Sequence, residues 1–451
     1  MNERSADHRP RVLLVNPWIH DFAAYDFWAK PLGLLTLGGY LRAAGAAVSL
    51  LDLTDPCSPH LPDRQRPRRR EGGTGKFPAQ RLRRPVVLPY INRFYRRYGI
   101  PPEAAAAALR EMPAPDAVLV TSMMTYWYTG VIETVALLRA RWPRTPIRLG
   151  GVYATLCPAH ARRVSGADEV FTGEATRVGP LLAERLGLAW PEFDPLAPPL
   201  PVHDLYPRAD AAALLTSRGC PNACPYCGIR LLAPEFVRYS PARVERELRW
   251  LTRDLGIRDL AIYDDAFLLD RPRALGLLDI FAGLGEPVRL HAAAGLSCRG
   301  VDAETSRAMK RAGFATIRLG LETADPDRQR ELGGKVTTAE FEQAVAHLLT
   351  AGFRREQIGV YVLAGLPGQR RAEVEDAVDR VLALGLQPHL AEYSPVPGSA
   401  LFAAAQAVSK YDLSDPLFHN PTLLPAAAGD LTPAALAEIK VRIAAHPGIV
   451  R

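Results

Sequence analysis

Short apolar segments alternate with amphipathic helical segments along most of this 451-residue chain, in two successive runs. The strand-like segments of the first run lie at 11–15, 48–53, 117–121, 147–150 and 169–171. Those of the second run lie at 212–216, 259–263, 288–292, 316–320, 358–363 and 388–392. Strands that alternate with helices predict right-handed βαβ units and parallel sheets. We therefore expect an α/β protein with two parallel-sheet domains.

Composition places the chain among ordinary globular proteins, because 48% of its residues are hydrophobic and 23% are charged. No apolar run approaches the roughly 18 residues that cross a bilayer. The first residues also lack the apolar stretch of a secretory signal. We expect a cytoplasmic protein with no membrane partner, whose thiols stay reduced.

The net charge of +7 is a small excess over 55 basic and 48 acidic side chains. Only six of the basic residues are lysines, which together with abundant alanine and proline indicates a GC-rich coding bias. The abundance of arginine is therefore not a sign of phosphate recognition, and a nucleic-acid partner is not expected.

Three of the six cysteines fall within eight residues, at Cys220, Cys224 and Cys227. Pro221 and Pro225 resist helix formation and place them on a loop. In a reducing compartment such a cluster predicts a metal or catalytic site. No fourth Cys or His follows at short spacing, whereas structural zinc has four ligands and a cubane iron–sulfur cluster usually has four thiolates. Three thiolates would leave one iron open to a ligand from outside the protein.

The C-x3-C-x2-C spacing, with Tyr226 before the last cysteine, resembles the signature of the radical S-adenosylmethionine (radical SAM) enzymes. The resemblance implies that the cysteines bind three irons of a [4Fe-4S] cluster and that S-adenosylmethionine chelates the fourth. It implies reductive cleavage to a 5′-deoxyadenosyl radical, with Tyr226 against the adenine. It also implies a partial (β/α)6 TIM-type barrel over residues 211–400, with the cysteine loop after its first strand.

Functional residues of such barrels lie at the carboxyl ends of the strands. Two aspartates follow the second strand, where the family binds the amino group of S-adenosylmethionine, and Glu322 resembles a residue that contacts the ligand's polar groups. The predicted contacts to the ligand are Asp264, Asp265, Arg318, Glu322, Gly365 and Tyr393. A solvated strand end or a tight turn is the alternative at each position, and no side chain is assigned a catalytic role.

The first run predicts a doubly wound, Rossmann-like parallel sheet, with its ligand site at the carboxyl ends of the strands. Its segments resemble the cobalamin (B12)-binding-like domain that precedes the barrel in a large radical SAM subclass. The predicted cofactor contacts are Asn16, Ser122, Gly150, Gly151, Gly173 and Glu174. The histidine ligand motif D-x-H-x-x-G is absent from the sequence. The resemblance implies cobalamin as a third cofactor, and a platform without cofactor is the alternative.

The expected organisation is a Rossmann-like domain at 1–190, a proline-rich linker at 191–210, the barrel at 211–400 and a tail at 401–451. An insertion at 56–115, unlike the regular sheet pattern, interrupts the first domain. It begins with an Arg-rich stretch at 62–84 and ends with basic residues among aromatics at 95–98 and an Ala-rich helix at 104–109. GGTGKF within it lacks the spacing of a phosphate-binding P-loop. A last helix is expected to begin at Thr432-Pro433.

These features predict a radical SAM enzyme that acts on an unactivated carbon of a small-molecule or natural-product-like substrate. Methyl transfer follows if cobalamin is bound, and the electron donor is expected to be of the flavodoxin or ferredoxin type. The alternatives are an RNA-modifying radical SAM enzyme and a non-catalytic zinc or iron–sulfur binding protein.

Overall fold

The computed structural model describes residues 9–446. The chain divides into two compact units, Met1–Asp210 and Ala211–Arg451. Both are α/β, as the alternating pattern predicts.

The first unit is built on a five-stranded parallel sheet in the order β3-β1-β6-β7-β8. Its strands are β1 (Arg11–Asn16), β2 (Ile19–Asp21), β3 (Ala47–Asp52), β4 (Ala79–Arg81), β5 (Arg96–Tyr98), β6 (Ala117–Val120), β7 (Ile147–Leu149) and β8 (Glu169–Val170). Its helices are α1 (Leu32–Ala43), α2 (Pro102–Glu111), α3 (Tyr128–Arg141), α4 (Gly151–Leu156), α5 (Pro158–Val164) and α6 (Ala175–Leu186).

Residues 12–15 of β1 and all of β6 are apolar and buried because both faces of the sheet are covered. One face packs against α2, α3 and α4 through residues such as Ala105, Val135 and Tyr153. The other face packs against α1 and α6 through residues such as Leu35 and Leu182. These two cores fix the position of the sheet, and the predicted ligand contacts lie at the carboxyl ends of its strands.

The predicted insertion is partly regular. Strands β2, β5 and β4 form a small antiparallel sheet, in which β4 comes from the end of the arginine-rich stretch. The two ends of the segment 53–100 meet, because the Ile100 backbone N–H donates to the Leu53 carbonyl at 2.8 Å. Helix α2 lies beyond this point and buries Ala105 and Ala108 in the main core. This helix agrees with the Ala-rich helix expected at the end of the insertion.

The proline-rich segment at 191–210, which its composition predicts to be a stiff linker, is packed within the first unit. The Val202 N–H donates to the Leu35 carbonyl at 3.1 Å, and the Tyr206 hydroxyl donates to Asp52 at 2.6 Å. A Cβ added at Gly39 would lie 2.2 Å from the Leu200 carbonyl oxygen, so a glycine in α1 permits the close approach. Proline stiffens the segment, but buried side chains fix its course.

The second unit is built on a six-stranded parallel sheet in the order β16-β15-β14-β13-β12-β9. Its strands are β9 (Ala212–Leu214), β10 (Ser217–Arg218), β11 (Val237–Arg238), β12 (Asp259–Ile262), β13 (Arg289–Ala292), β14 (Phe314–Glu322), β15 (Ile358–Ala364) and β16 (Gln387–Glu392). Its helices are α7 (Ile229–Leu232), α8 (Pro241–Arg249), α9 (Arg271–Ala282), α10 (Ala303–Arg311), α11 (Pro326–Glu331), α12 (Thr338–Thr350), α13 (Arg371–Ala383), α14 (Phe402–Val408) and α15 (Pro433–Ala445).

Several helix-start signals in the sequence are confirmed. Thr337 and Glu340 form a capping box at the start of α12, with side-chain to backbone distances of 3.2 and 2.8 Å. Ser240 accepts from the Arg243 N–H at the start of α8. Thr432 caps α15, the helix predicted in the tail.

The tail is part of the second unit rather than an appendage. Leu436, Ile439 and Ile443 of α15 are buried against Val374 and Val378 of α13. Within residues 9–446 no helix is long and apolar enough to cross a membrane.

Candidate functional site

The cysteine loop leaves the sheet at the carboxyl end of β9 and is held by a tight backbone contact. Gly219 has a left-handed φ of +76°, and a Cβ there would lie 2.2 Å from the Glu235 carbonyl oxygen. Only glycine fits this position without displacing backbone. The loop is also fastened at Pro225, whose carbonyl accepts from the Leu401 N–H at 2.9 Å.

The three loop cysteines are free thiols; Cys220 and Cys224 are half-buried and Cys227 is exposed. Burial raises the pKa of Cys220 and of Cys227, and the charges of Cys224 and Asp265 raise it further. The Ile229 N–H approaches the Cys227 Sγ at 3.5 Å and favours its thiolate. The three thiolates would therefore repel one another, and a bound metal centre would relieve this repulsion.

This donor set fits an iron–sulfur cluster better than a closed zinc site. Among the residues that the structure describes, no three His, Cys, Asp or Glu side chains are spaced to hold one metal ion. A cluster distributes its thiolate ligands over several irons, whereas structural zinc draws four ligands to one centre. Binding would displace the thiol protons, which the raised pKa values otherwise retain.

The two aspartates after β12 have different environments. Asp264 is buried and accepts hydrogen bonds from the Thr216 N–H and Oγ1, both at 2.7 Å, and from the Ser217 Oγ at 2.5 Å. It braces the entry to the cysteine loop instead of presenting a carboxylate to a ligand, contrary to the contact predicted for it. Asp265 is exposed, and desolvation with the Asp264 charge raises its pKa to about 6.

Glu322 ends β14 in a left-handed conformation with φ of +66°, at a register shift against β15. Its Oε1 lies 2.6 Å from the Lys335 Nζ, which in turn lies 5.7 Å from the ring centroid of Tyr226. Burial would lower the pKa of Lys335, but the charges of Glu322 and Tyr226 outweigh it and raise the pKa. Gly333 lies against the cysteine loop, because a Cβ there would be 3.7 Å from the Cys224 Cα.

The remaining predicted contacts of the barrel fall into two groups. Tyr226 packs against the apolar cluster that contains Tyr393. Gly365 follows β15 with φ of +92°, and its N–H donates to the Gln369 Oε1 at 2.8 Å. Arg318 lies within β14 and not after it, four residues before the strand ends at Glu322.

The carboxyl edge of the first unit holds a small cavity of about 120 Å³. Four of the predicted contacts line it, together with Thr121 and apolar side chains: Gly150, Gly151, Gly173 and Glu174. A Cβ at Gly151 would lie 2.5 Å from the Thr121 Oγ1, so glycine is required there. Whole-ligand pockets are commonly about 300 Å³ or more, so this cavity could hold one part of a large cofactor.

Asn16 and Ser122 are not among the residues that line the cavity. The Asn16 amide donates to Asp52 at 2.8 Å and to Thr54 at 2.9 Å, and the Ser122 hydroxyl donates to the Met124 carbonyl at 2.9 Å. Both side chains fix neighbouring loops. The nearby imidazole of His20 is paired with Glu133 at 2.7 Å, consistent with the absence of a histidine ligand motif.

Sequence reasoning did not single out Lys335. It lies in the loop between α11 and α12, outside any strand end, and its position became evident only through its contact with Glu322. The pair Gly333-Gly334 before it and the scarcity of lysine in the chain are the signals that mark it.

A parallel six-stranded sheet with a three-cysteine loop after its first strand defines the radical SAM class of α/β proteins. Residues 214–381 match the radical SAM superfamily model, and residues 94–183 match the B12 binding domain model. The chain thus contains a radical SAM domain with a B12-binding domain on its N-terminal side. The first match implies a [4Fe-4S] cluster and S-adenosylmethionine, and the second implies cobalamin.

Two curated relatives are uncharacterized methyltransferases. The one from Pyrococcus horikoshii is 30% identical over 221 residues, which is 46% of this chain and 46% of the relative. The one from Synechocystis sp. is 26% identical over 305 residues, 64% of this chain and 54% of the relative. The chain thus spans about half the length of the curated relatives it matches.

A solved structure supports the fold. The radical S-adenosylmethionine methyltransferase TsrM from Kitasatospora setae, with cobalamin and a [4Fe-4S] cluster bound, superimposes with a TM-score of 0.65. The match covers 90% of this chain and 80% of TsrM at 17% identity.

Proposed function

We propose that this protein is a cobalamin-dependent radical SAM methyltransferase that methylates an unactivated carbon of a small-molecule, natural-product-like substrate. The observation that supports this most is the loop of three free cysteines, braced by Gly219 and Asp264, in a chain with a B12-binding domain. The structure of TsrM with a tryptophan substrate is consistent with a substrate of this size. We further infer a cytoplasmic location and a flavodoxin- or ferredoxin-type electron donor.

The chain's own residues position the reactants. Cys220, Cys224 and Cys227 would hold the cluster, while Asp265 offers an accessible carboxylate for the amino group of S-adenosylmethionine. When bound, the cluster supplies an electron for cleavage of S-adenosylmethionine, and cobalamin serves as a methyl carrier. The apolar cluster of Tyr226, Tyr393 and their neighbours excludes water from this edge of the sheet.

Anaerobic purification followed by iron, sulfide, zinc and cobalt analysis tests the proposal. We expect four irons and a cobalamin spectrum, with release of 5′-deoxyadenosine and S-adenosylhomocysteine under reduction. Alanine at any one of the three loop cysteines should abolish both products. Cys157→Ala is the matched control, because Cys157 packs in the core of the first unit and should leave iron content unchanged.

Three results would contradict the proposal. One zinc without iron would favour a metal-binding module, and salt-dependent copurification with RNA would favour RNA modification. An iron-loaded enzyme that cleaves S-adenosylmethionine but contains no cobalt after reconstitution would remove the methyl-transfer part.

A further inference from the structure

One face of the β9–β16 sheet has a group of polar side chains that the proposed function does not explain. Along β14 the side chains of Ile317 and Leu319 are fully buried, whereas Arg318 between them is partly accessible. Arg318 pairs in register with Gly359 on β15, and Tyr361 pairs with His389 on β16. Since side chains two residues apart share a face of a strand, Tyr361 lies on the same face as Gly359.

Three side chains converge over Gly359. A Cβ there would lie 2.9 Å from the Arg318 Nη1 and 2.5 Å from the His389 Nε2, so both groups lie against the bare glycine. The rings of Tyr361 and His389 have centroids 6.0 Å apart. Each of the three side chains is partly accessible, so the group is open to a ligand.

The charge of this group is unbalanced. Elsewhere on the sheet, Glu322 is paired with Lys335 from the loop between α11 and α12, and Arg289 is paired with Asp259. Within the described part of the chain, Arg318 has no carboxylate within 4.0 Å; its Nη1 donates to the Ile317 carbonyl at 2.9 Å, and Tyr361 is a second neighbour. A guanidinium remains protonated in proteins, so the positive charge persists.

Tyr361 and His389, the neighbours of Arg318, are neutral, and the Glu322 charge that acts on Tyr361 is paired with Lys335. Burial and, to a smaller extent, the Arg318 charge together lower the pKa of His389 to about 4, so the imidazole is neutral near pH 7. The Tyr361 hydroxyl donates to the Ala293 carbonyl at 3.3 Å and stays protonated, since burial raises its pKa. A partly buried cation among neutral donors is costly unless an anion balances it.

We propose that Arg318, Tyr361 and His389 form a subsite that binds a carboxylate or phosphate group of the substrate. The assignment rests on the proposed function, because it names the substrate class of the same barrel. The planar guanidinium can bind two oxygens of such a group at once, which fixes the substrate's orientation as well as its affinity. It replaces the contact with S-adenosylmethionine that the sequence predicts for Arg318.

NMR of the holoenzyme labelled with [13Cε1]histidine tests the subsite, because the chain has only ten histidines. The His389 signal is assigned by its loss in His389→Gln. Acetate and inorganic phosphate are titrated against chloride at constant ionic strength, without reductant, and with or without saturating S-adenosylmethionine. We expect a saturable shift of the His389 signal in both conditions.

Variants of Arg318 give the matched comparison. Arg318→Gln should weaken the apparent affinity for the anions by about tenfold or more. Arg318→Lys should give an affinity between those of Arg318→Gln and the wild type, since lysine keeps the charge but cannot bind two oxygens at once. Arg330→Gln, an exposed arginine paired with Asp327, should behave like the wild type.

A shift of the His389 signal that disappears when S-adenosylmethionine is bound would show that Arg318 binds the carboxylate of S-adenosylmethionine. This result would overturn the substrate assignment. No shift with either anion, or a full shift in Arg318→Gln, would overturn the subsite. Failure of the wild type to cleave S-adenosylmethionine, with the His389 response intact, would instead count against the proposed function alone.

Discussion

At the scale of single residues, the cysteine loop depends on a glycine that is not itself a ligand. Gly219→Ala combines a left-handed φ with a Cβ only 2.2 Å from backbone. We expect the iron content to fall by more than half while the far-ultraviolet circular dichroism is preserved.

Gly256→Ala separates the two effects in that experiment. Gly256 also has a left-handed φ, of +68°, but no atom lies within 4 Å of its added Cβ. It should cost about 1–2 kcal/mol of stability and leave iron content unchanged. Equal iron loss in both variants would show that backbone strain, and not the contact with Glu235, governs the loop.

Asp265 gives a pH dependence whose sign follows from its pKa of about 6. Its carboxylate is ionised above that pH and neutral below it, and a cationic amino group is attracted only by the ionised form. Affinity for S-adenosylmethionine, measured by anaerobic equilibrium dialysis, should therefore fall as the pH is lowered from 7 to 5.

The Asp265→Asn variant should bind more weakly at pH 7 and lose most of this pH dependence. Asp264→Asn is the contrasting variant, because it places an amide against donors and should reduce stability by about 1–3 kcal/mol. A pH dependence that persists in Asp265→Asn would assign it to another group.

The residues also show how far sequence reasoning reaches into a site. The cysteines and Asp265 were identifiable because their spacing and their place after a strand are local properties. Which of two adjacent aspartates is buried could not be predicted, since it depends on Thr216 and Ser217 from another strand. Tyr361 and His389 were missed because only the sheet register brings them to Arg318.

At the scale of elements, the arginine-rich hairpin between β4 and β5 has an exposed tip at 83–94. The Leu82 N–H donates to the Tyr95 carbonyl at 2.9 Å and closes it, while Val86 and Tyr90 are 88% and 79% exposed. Replacing 83–94 by Asn-Gly, which favours a two-residue hairpin turn, should lower stability by about 1 kcal/mol or less.

Thermal unfolding and cobalt content of this deletion variant are the measurements. The full-length double variant Arg83→Ser and Arg84→Ser is the control that removes charge without shortening the chain. Loss of cobalamin in the deletion variant alone would show that the tip contributes to cofactor binding.

Elements were predictable wherever periodicity was strong. The six barrel strands, α10 and the capping box of α12 follow directly from apolar alternation and local capping chemistry. The short strands β10 and β11 could not be predicted, because a two-residue ladder has no periodicity. The course of the proline-rich segment was also missed, since its docking depends on Gly39 and Asp52 far away in sequence.

At the scale of the whole molecule, each unit has cores of its own, so the two cofactor sites should be lost independently. A variant with all three loop cysteines changed to alanine should contain no iron and still bind cobalamin stoichiometrically, because the first unit's cores are unaltered. Absorbance spectra and metal analysis of the reconstituted variant measure both. Loss of cobalamin together with iron would contradict this independence.

The hydrogen bond between Leu53 and Ile100 has a consequence for engineering and for evolution. A segment whose two ends meet can be lengthened, shortened or exchanged at little entropic cost, since closing a longer loop costs only about 0.6 kcal/mol per doubling. The parent sheet need not change when this happens. The same junction is therefore a natural graft point, where a reporter module could be spliced in or the native segment swapped for that of a relative.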